Sequence, residues 1–105
     1  MSDVLPPEET AALEMQAQPH SREAEEAVLG AVLINREKYF EIAQFLQADD
    51  FYIVRNRWIW DAFRELNEKR IAVDFLTVCQ ELEKKSRLSE VGGPAYITAL
   101  INQTP

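Results

Sequence analysis

Apolar residues recur along the chain at spacings of three and four, and each run closes on a polar or glycine-bearing break. Ala24, Ala27, Val28, Ala31 and Val32 form the first stripe, widened by Leu29 and Leu33. They predict a helix capped by Ser21 that runs to Leu33 or Ile34, with Glu23, Glu25 and Glu26 at its positive end. Gly30 falls mid-helix, where glycine costs about 1 kcal/mol against alanine, so another helix should pass close to it. Tyr39, Ile42, Ala43 and Leu46 predict a second helix over 36–46, capped by Asn35. Residues 48–52 read as a turn carrying two aromatic anchors, Phe51 and Tyr52. Ile59, Ala62, Phe63 and Leu66, flanked by Trp58 and Trp60, predict a long helix over 54–69. Arg57–Asp61, Arg64–Glu68 and Glu65–Lys69 are i,i+4 pairs on its outer face. Asp74 can cap a fourth helix over 75–85 whose apolar set is Phe75, Leu76, Val78, Cys79 and Leu82. Ser86–Glu90 reads as a polar connector with Leu88 as its plug. Gly92-Gly93-Pro94 breaks the chain and starts a last helix, with Ala95, Tyr96, Ile97, Leu100 and Ile101 as its stripe. No stretch alternates with period two. The expected fold is all-α: a small irregular helical bundle of about five to six helices, with short loops and no sheet.

Charge divides the chain. The whole carries a net charge of −7, yet residues 1–18 hold four acids (Asp3, Glu8, Glu9, Glu14) and no base, leaving 19–105 at −3. With Pro6, Pro7 and weak periodicity, 1–18 read as an acidic mobile tail with a transient turn around Glu8–Gln16. Residues 19–105 read as the globular domain. The overall acidity excludes a generally basic nucleic-acid module. One Cys and one His exclude a disulfide framework and a Cys/His metal cage within one chain. Three Gly and no G-x-x-x-x-G-K-[ST] run leave no phosphate loop. Neither a membrane-spanning run nor a secretory signal is present in the sequence, so a soluble intracellular domain is expected.

Few residues invite chemistry. Glu25-Glu26, Asp49-Asp50 and Glu81/Glu83 are paired acids, but neighbouring positions on a helix point about 100° apart, and solvated faces or helix N-termini are the simpler reading. His20 beside Pro19 reads as a surface or capping residue. Cys79 in an apolar stripe reads as a small buried hydrophobe, against the alternative of a reactive thiol. Arg55, Arg57, Arg64, Lys69 and Arg70 gather around the third helix with Trp58 and Trp60 among them. Such interleaving can bind single strands, which keeps a DNA-contacting helix over 54–69 as the alternative function. Trp58 lies off the centre of its stripe; Trp58, Arg55 and Arg57 are therefore the candidate partner surface. No catalytic, cofactor-binding or metal residue is nominated.

Four segments, in order and at the expected spacing, resemble one family. They are the opening helix from Pro19 through Ala24, Glu25, Leu29 and Gly30; Asp50-Phe51-Tyr52 followed by Ile59-Trp60; Val73-Asp74-Phe75-Leu76-Thr77-Val78; and Leu88 through Gly92, Gly93 and Tyr96. The family is the N-terminal domain of DnaB-type replicative DNA helicases, and the resemblance spans about 19–105. Asn56 stands where the family usually has His, and Arg70 and Ala72 where it usually has Gly and Pro. Arg at position 70 predicts a loop not held at positive φ. The resemblance implies a non-catalytic collar domain of a hexameric, ATP-dependent DNA helicase. Its implied partners are the other helicase subunits, the C-terminal domain of primase and a helicase loader, with DNA met only through the hexamer. ATP and Mg²⁺ would belong to the parent's motor, with no cofactor in this chain. A helical hairpin would begin near Thr104-Pro105, so hairpin, linker and motor would lie outside the chain. The implied setting is the cytoplasm of a bacterial or phage-infected cell.

Overall fold

In a computed structural model, described for residues 6–17 and 21–103 with the side chains of 14–17 left aside, six α-helices and one 3₁₀ turn follow one another. They are α1 (Pro7–Ala17), α2 (Arg22–Ile34), α3 (Lys38–Ile42), the 3₁₀ turn (Ala48–Asp50), α4 (Val54–Glu68), α5 (Phe75–Lys84) and α6 (Gly93–Gln103). Among the described residues there is no strand. His20 and Thr104-Pro105 lie outside them.

The helix starts follow the sequence. Ser21 Oγ accepts the Ala24 amide at 3.2 Å and closes the first turn of α2. Asp74 and Thr77 form a reciprocal box at the start of α5: the Asp74 carboxylate accepts the Thr77 amide at 2.9 Å and Thr77 Oγ1 accepts the Asp74 amide at 3.0 Å. α2 and α4 organise the core. α2 packs against α1, α4 and α6, and α4 against α5 and the 3₁₀ turn. Leu29, Ile59, Phe63 and Leu100, one or two from each of α2, α4 and α6, are fully buried at their junction. Gly30 is buried in α2, on the helix that four others contact.

Three helical expectations need correction. The stretch read as a mobile tail contains α1, which lies against α2 with Ala11 and Ala12 in the core. Two buried methyl groups make no visible apolar stripe, which is why periodicity missed it. The second helix is far shorter than 36–46. Asn35 Oδ1 accepts the Glu37 amide, and i→i+3 bonds from Lys38, Tyr39 and Phe40 wind the chain more tightly ahead of α3. Its anchors Tyr39, Ile42 and Leu46 are nonetheless buried. On α5, Phe75 and Leu76 face outward, because the first turn overhangs the contact with α4; Val78, Cys79 and Leu82 make it.

The end of α4 overturns a further expectation. Arg70 adopts φ +60°. The Ile71 amide donates to the Leu66 carbonyl at 2.8 Å and the Arg70 amide to the Asn67 carbonyl at 3.0 Å. This is the paired-bond stop that usually places glycine at the left-handed residue. The two carbonyls and the Ile71 side of the turn impose the conformation, and arginine bears its steric cost. Arg70→Gly is therefore expected to raise stability by about 1 kcal/mol, read as a higher urea midpoint with an unchanged slope. Ser86 ends α5 in the same way at φ +57°.

α1 is also tied by charge. Lys38 Nζ lies 2.8 Å from Glu8 Oε1. The Lys38 ammonium holds the Glu8 carboxyl below its ordinary value of 4.5, and Glu8 raises Lys38 above 10.5. A depressed carboxyl contributes stability above its unfolded value and loses it as pH falls. The raised lysine contributes below its unfolded value and loses it as pH rises. The tie therefore holds between those limits. Acid titration is expected to move the Ala11 and Ala12 amide resonances with a midpoint below 4.5, a step that Glu8→Gln should remove.

Candidate interaction surface

The family-like segments meet inside the bundle. The N-terminal end of α4 has no side-chain cap of its own. Glu25, fully buried on α2, instead holds the turn that leads into it. Its carboxylate accepts the Tyr52 amide at 2.7 Å, the Ile53 amide at 3.3 Å and Asn56 Nδ2 at 2.8 Å. Asn56 is fully buried and accepts the Tyr96 hydroxyl at 2.7 Å through Oδ1. One amide side chain thus donates to α2 and accepts from α6. The Arg55 guanidinium carbon lies 3.9 Å from the centre of the Tyr96 ring, and burial pushes the Tyr96 phenol above its usual range. Arg55 Nε is buried without a hydrogen-bond partner. Gly92, at φ +110°, lies beside that ring; a Cβ there would fall 3.0 Å from Tyr96 Cβ. Gly93 is also in the left-handed region, at φ +71°. Glu25, Asn56, Tyr96 and Gly92 therefore build a junction between helices.

This junction corrects the reading of Glu25-Glu26 as solvated acids. Both are buried, and Glu26 is paired with Arg22 at 3.1 Å. The signal lay in the donors: a turn at Asp50–Ile53 whose free amides need an acceptor. Glu81 was likewise read as solvated. It is buried, with Lys69 Nζ at 3.1 Å and Lys84 Nζ at 3.9 Å. Asp49 is exposed, and Asp50 caps its own turn by accepting the Gln47 amide. Of the two aromatic anchors only Phe51 is buried; Tyr52 is 58% exposed.

The Arg/Trp helix is largely engaged with its own protein. Arg57 Nε donates to the Phe51 carbonyl, and Asp61 pairs with Arg64 rather than with Arg57. Arg64–Glu68 forms as expected at 3.1 Å, but Glu65 pairs with Lys85 and Lys69 with Glu81. Trp60 is buried, whereas Trp58 is half-buried with the Arg87 guanidinium carbon 5.0 Å from its ring centre. Trp58, Arg55 and Arg57 are each partly exposed, and each already has an intramolecular partner. Cys79 is buried, and burial raises its thiol above the ordinary value, which disfavours the thiolate a reactive cysteine requires. Among the described residues no group of three or more His, Cys, Asp or Glu could hold a metal ion, and no helix is long and apolar enough to cross a membrane. What sequence reasoning did not single out is a set of large apolar side chains left outside, among them Ile34, Phe40 and Ile71.

The Glu25 carboxylate and the Asn56 amide thus join α2, α4 and α6 in an all-helical domain. The chain belongs to the DnaB-like helicase N-terminal domain family, which it matches over residues 17–105. It is 39% identical over 87 residues to the replicative DNA helicase DnaB of Haemophilus influenzae and 37% identical over 87 residues to the replicative DNA helicase DnaC of Bacillus subtilis. Each alignment covers 83% of this chain and 19% of the relative, so the chain spans about a fifth of the length of these helicases. The crystal structure of the N-terminal domain of DnaB helicase from Mycobacterium tuberculosis superposes with a TM-score of 0.75 at 28% identity, covering 96% of this chain and 64% of that one.

Proposed function

We propose that this chain serves as the non-catalytic collar of a replicative helicase, holding neighbouring subunits in a ring and docking the C-terminal domain of primase. The carrying observation is that α2–α6, with the Glu25–Asn56–Tyr96 junction between them, all fall within the stretch that matches the helicase N-terminal domain family. A domain built this way offers rigid faces at fixed angles, which is what an assembly module must provide. ATP and Mg²⁺ would serve a motor elsewhere in the parent protein, and DNA would be met through the assembled ring. A loader would be a further partner, in the cytoplasm of a bacterial or phage-infected cell. The internal engagement of Arg55, Arg57 and Arg64 speaks against the DNA-contacting alternative.

Titration of the labelled chain with the C-terminal domain of its cognate primase tests this reading. Saturable binding is expected, with no nucleotide turnover by the chain alone and no tight hexamer in sedimentation. Stoichiometric ATP hydrolysis would refute it. So would salt-dependent affinity for single strands that Arg55→Glu and Arg57→Glu abolish, with no binding of primase.

A further inference from the structure

A break in the inward-facing pattern lies where α3 meets the loop between α4 and α5. Phe40 is 59% exposed and Ile71 is 43% exposed; both line one open groove of about 570 Å³. Ile34, 51% exposed, lines an adjoining groove of about 440 Å³. Arg36, Glu37 and Val73 line both, so the grooves are continuous across the buried Val73. Neither loop geometry nor core packing requires three large apolar side chains to stand in water together. Contiguous apolar surface on a small domain marks an interaction site.

The charge at the Phe40–Ile71 end of this trough favours an acidic occupant. Arg36 and Arg70 line the Phe40–Ile71 groove, and neither guanidinium has an ionic partner among the described residues. Elsewhere Arg22 and Arg64 are paired with acids. Two acids also line the trough: Glu37 on both grooves, and Asp74 on the Ile34 groove, where its carboxylate is engaged in accepting the Thr77 amide. A chain of net charge −7 thus keeps two unpaired arginines around its exposed Phe and Ile. Arginine and aromatic residues together are the composition of interface anchors, and an elongated apolar trough accepts one face of a helix.

We propose that Ile34, Phe40 and Ile71 receive an amphipathic helix of a partner protein, its apolar face in the trough and its acidic flanks on Arg36 and Arg70. This rests on the docking role argued above and assigns it a face and a chemistry.

The probe is a short synthetic helix with leucines at i, i+3, i+4 and i+7 and glutamates beside them, compared with its lysine-flanked isomer. With the ¹⁵N-labelled chain, the acidic peptide is expected to shift the Ile34, Phe40 and Ile71 amides and to bind about tenfold tighter than the basic isomer at low salt. Combined Arg36→Glu and Arg70→Glu should reverse that preference, with the urea midpoint confirming that the variant is folded. Equal affinity for both isomers, shifts confined to other residues, or no shifts would overturn the proposal. So would shifts at these amides on concentrating the chain without peptide, which would assign the face to a second copy. Primase binding that leaves these amides unmoved would overturn this face while the docking role stood.

Discussion

Glu25→Gln is expected to lower the stability of this domain by about 3 kcal/mol, although it changes one oxygen to one nitrogen. Glu25 faces donors alone: Oε2 takes the Tyr52 amide, and Oε1 takes the Ile53 amide and Asn56 Nδ2. A glutamine offers one carbonyl oxygen to this arrangement. Its NH₂ must then oppose a backbone N–H that no rotation can turn away. The buried carboxylate bears a desolvation cost that the variant recovers, so the loss is smaller than three charged hydrogen bonds would suggest. It remains large because the donors stay buried and two of them belong to the backbone. Glu25→Leu, which leaves all three donors without an acceptor, should cost about 4 kcal/mol. In urea the Gln variant's midpoint should fall by about 2 M with little change in slope. A midpoint shift of less than about 0.3 M would show that the junction contributes nothing net.

That junction also marks the boundary between what the sequence makes legible and what it does not. The stripes through Val28, Leu29 and Val32, through Ile59, Phe63 and Leu66, and through Ile97 and Leu100 are periodic, and hydrophobic burial places them where periodicity does. Ser21 and Asp74 are local caps, read from a residue type and the few residues that follow it. Glu25 follows no local rule. Its three donors lie 27 to 31 positions away, and only the packing of α2 on α4 brings them near. Glu81 is similar, since Lys69 reaches it from the end of another helix. Arg70 is missed for a different reason: the Leu66 and Asn67 carbonyls impose a left-handed stop whatever residue occupies it. Phe40 and Ile71 are apolar residues in polar surroundings, and their shared groove exists only once α3 and the α4–α5 loop are adjacent. Thus the apolar core and the helix starts were readable from local pattern. The polar junction and the candidate docking face depend on contacts between distant segments.

Trp60→Ala should be the most damaging single truncation in the core, at about 4 kcal/mol. Trp60 is 2% exposed, and its ring centre lies 5.1 Å from Tyr39, 5.5 Å from Phe51 and 5.7 Å from Phe63. These three aromatics come from α3, the segment after the 3₁₀ turn, and α4 itself, so one indole links all three. Removing it leaves a cavity lined by large rigid rings, which cannot collapse as an aliphatic site can. The loss therefore combines the transfer of the indole with an unfilled void. For a domain of this size, with a stability of about 5–10 kcal/mol, it should leave a substantial unfolded population well below the denaturation temperature of the parent. Trp60→Phe keeps a ring in the stack and should cost about 1.5 kcal/mol, separating the void from the loss of the indole's extra area. Trp58→Ala supplies the control on the same helix: half-buried under Arg87, it should cost about 1 kcal/mol. Thermal unfolding followed by circular dichroism ranks the three. If Trp58→Ala proves as costly as Trp60→Ala, the aromatic stack is not what holds α3 to α4, and the short α3 must be retained by α1 and α2 instead.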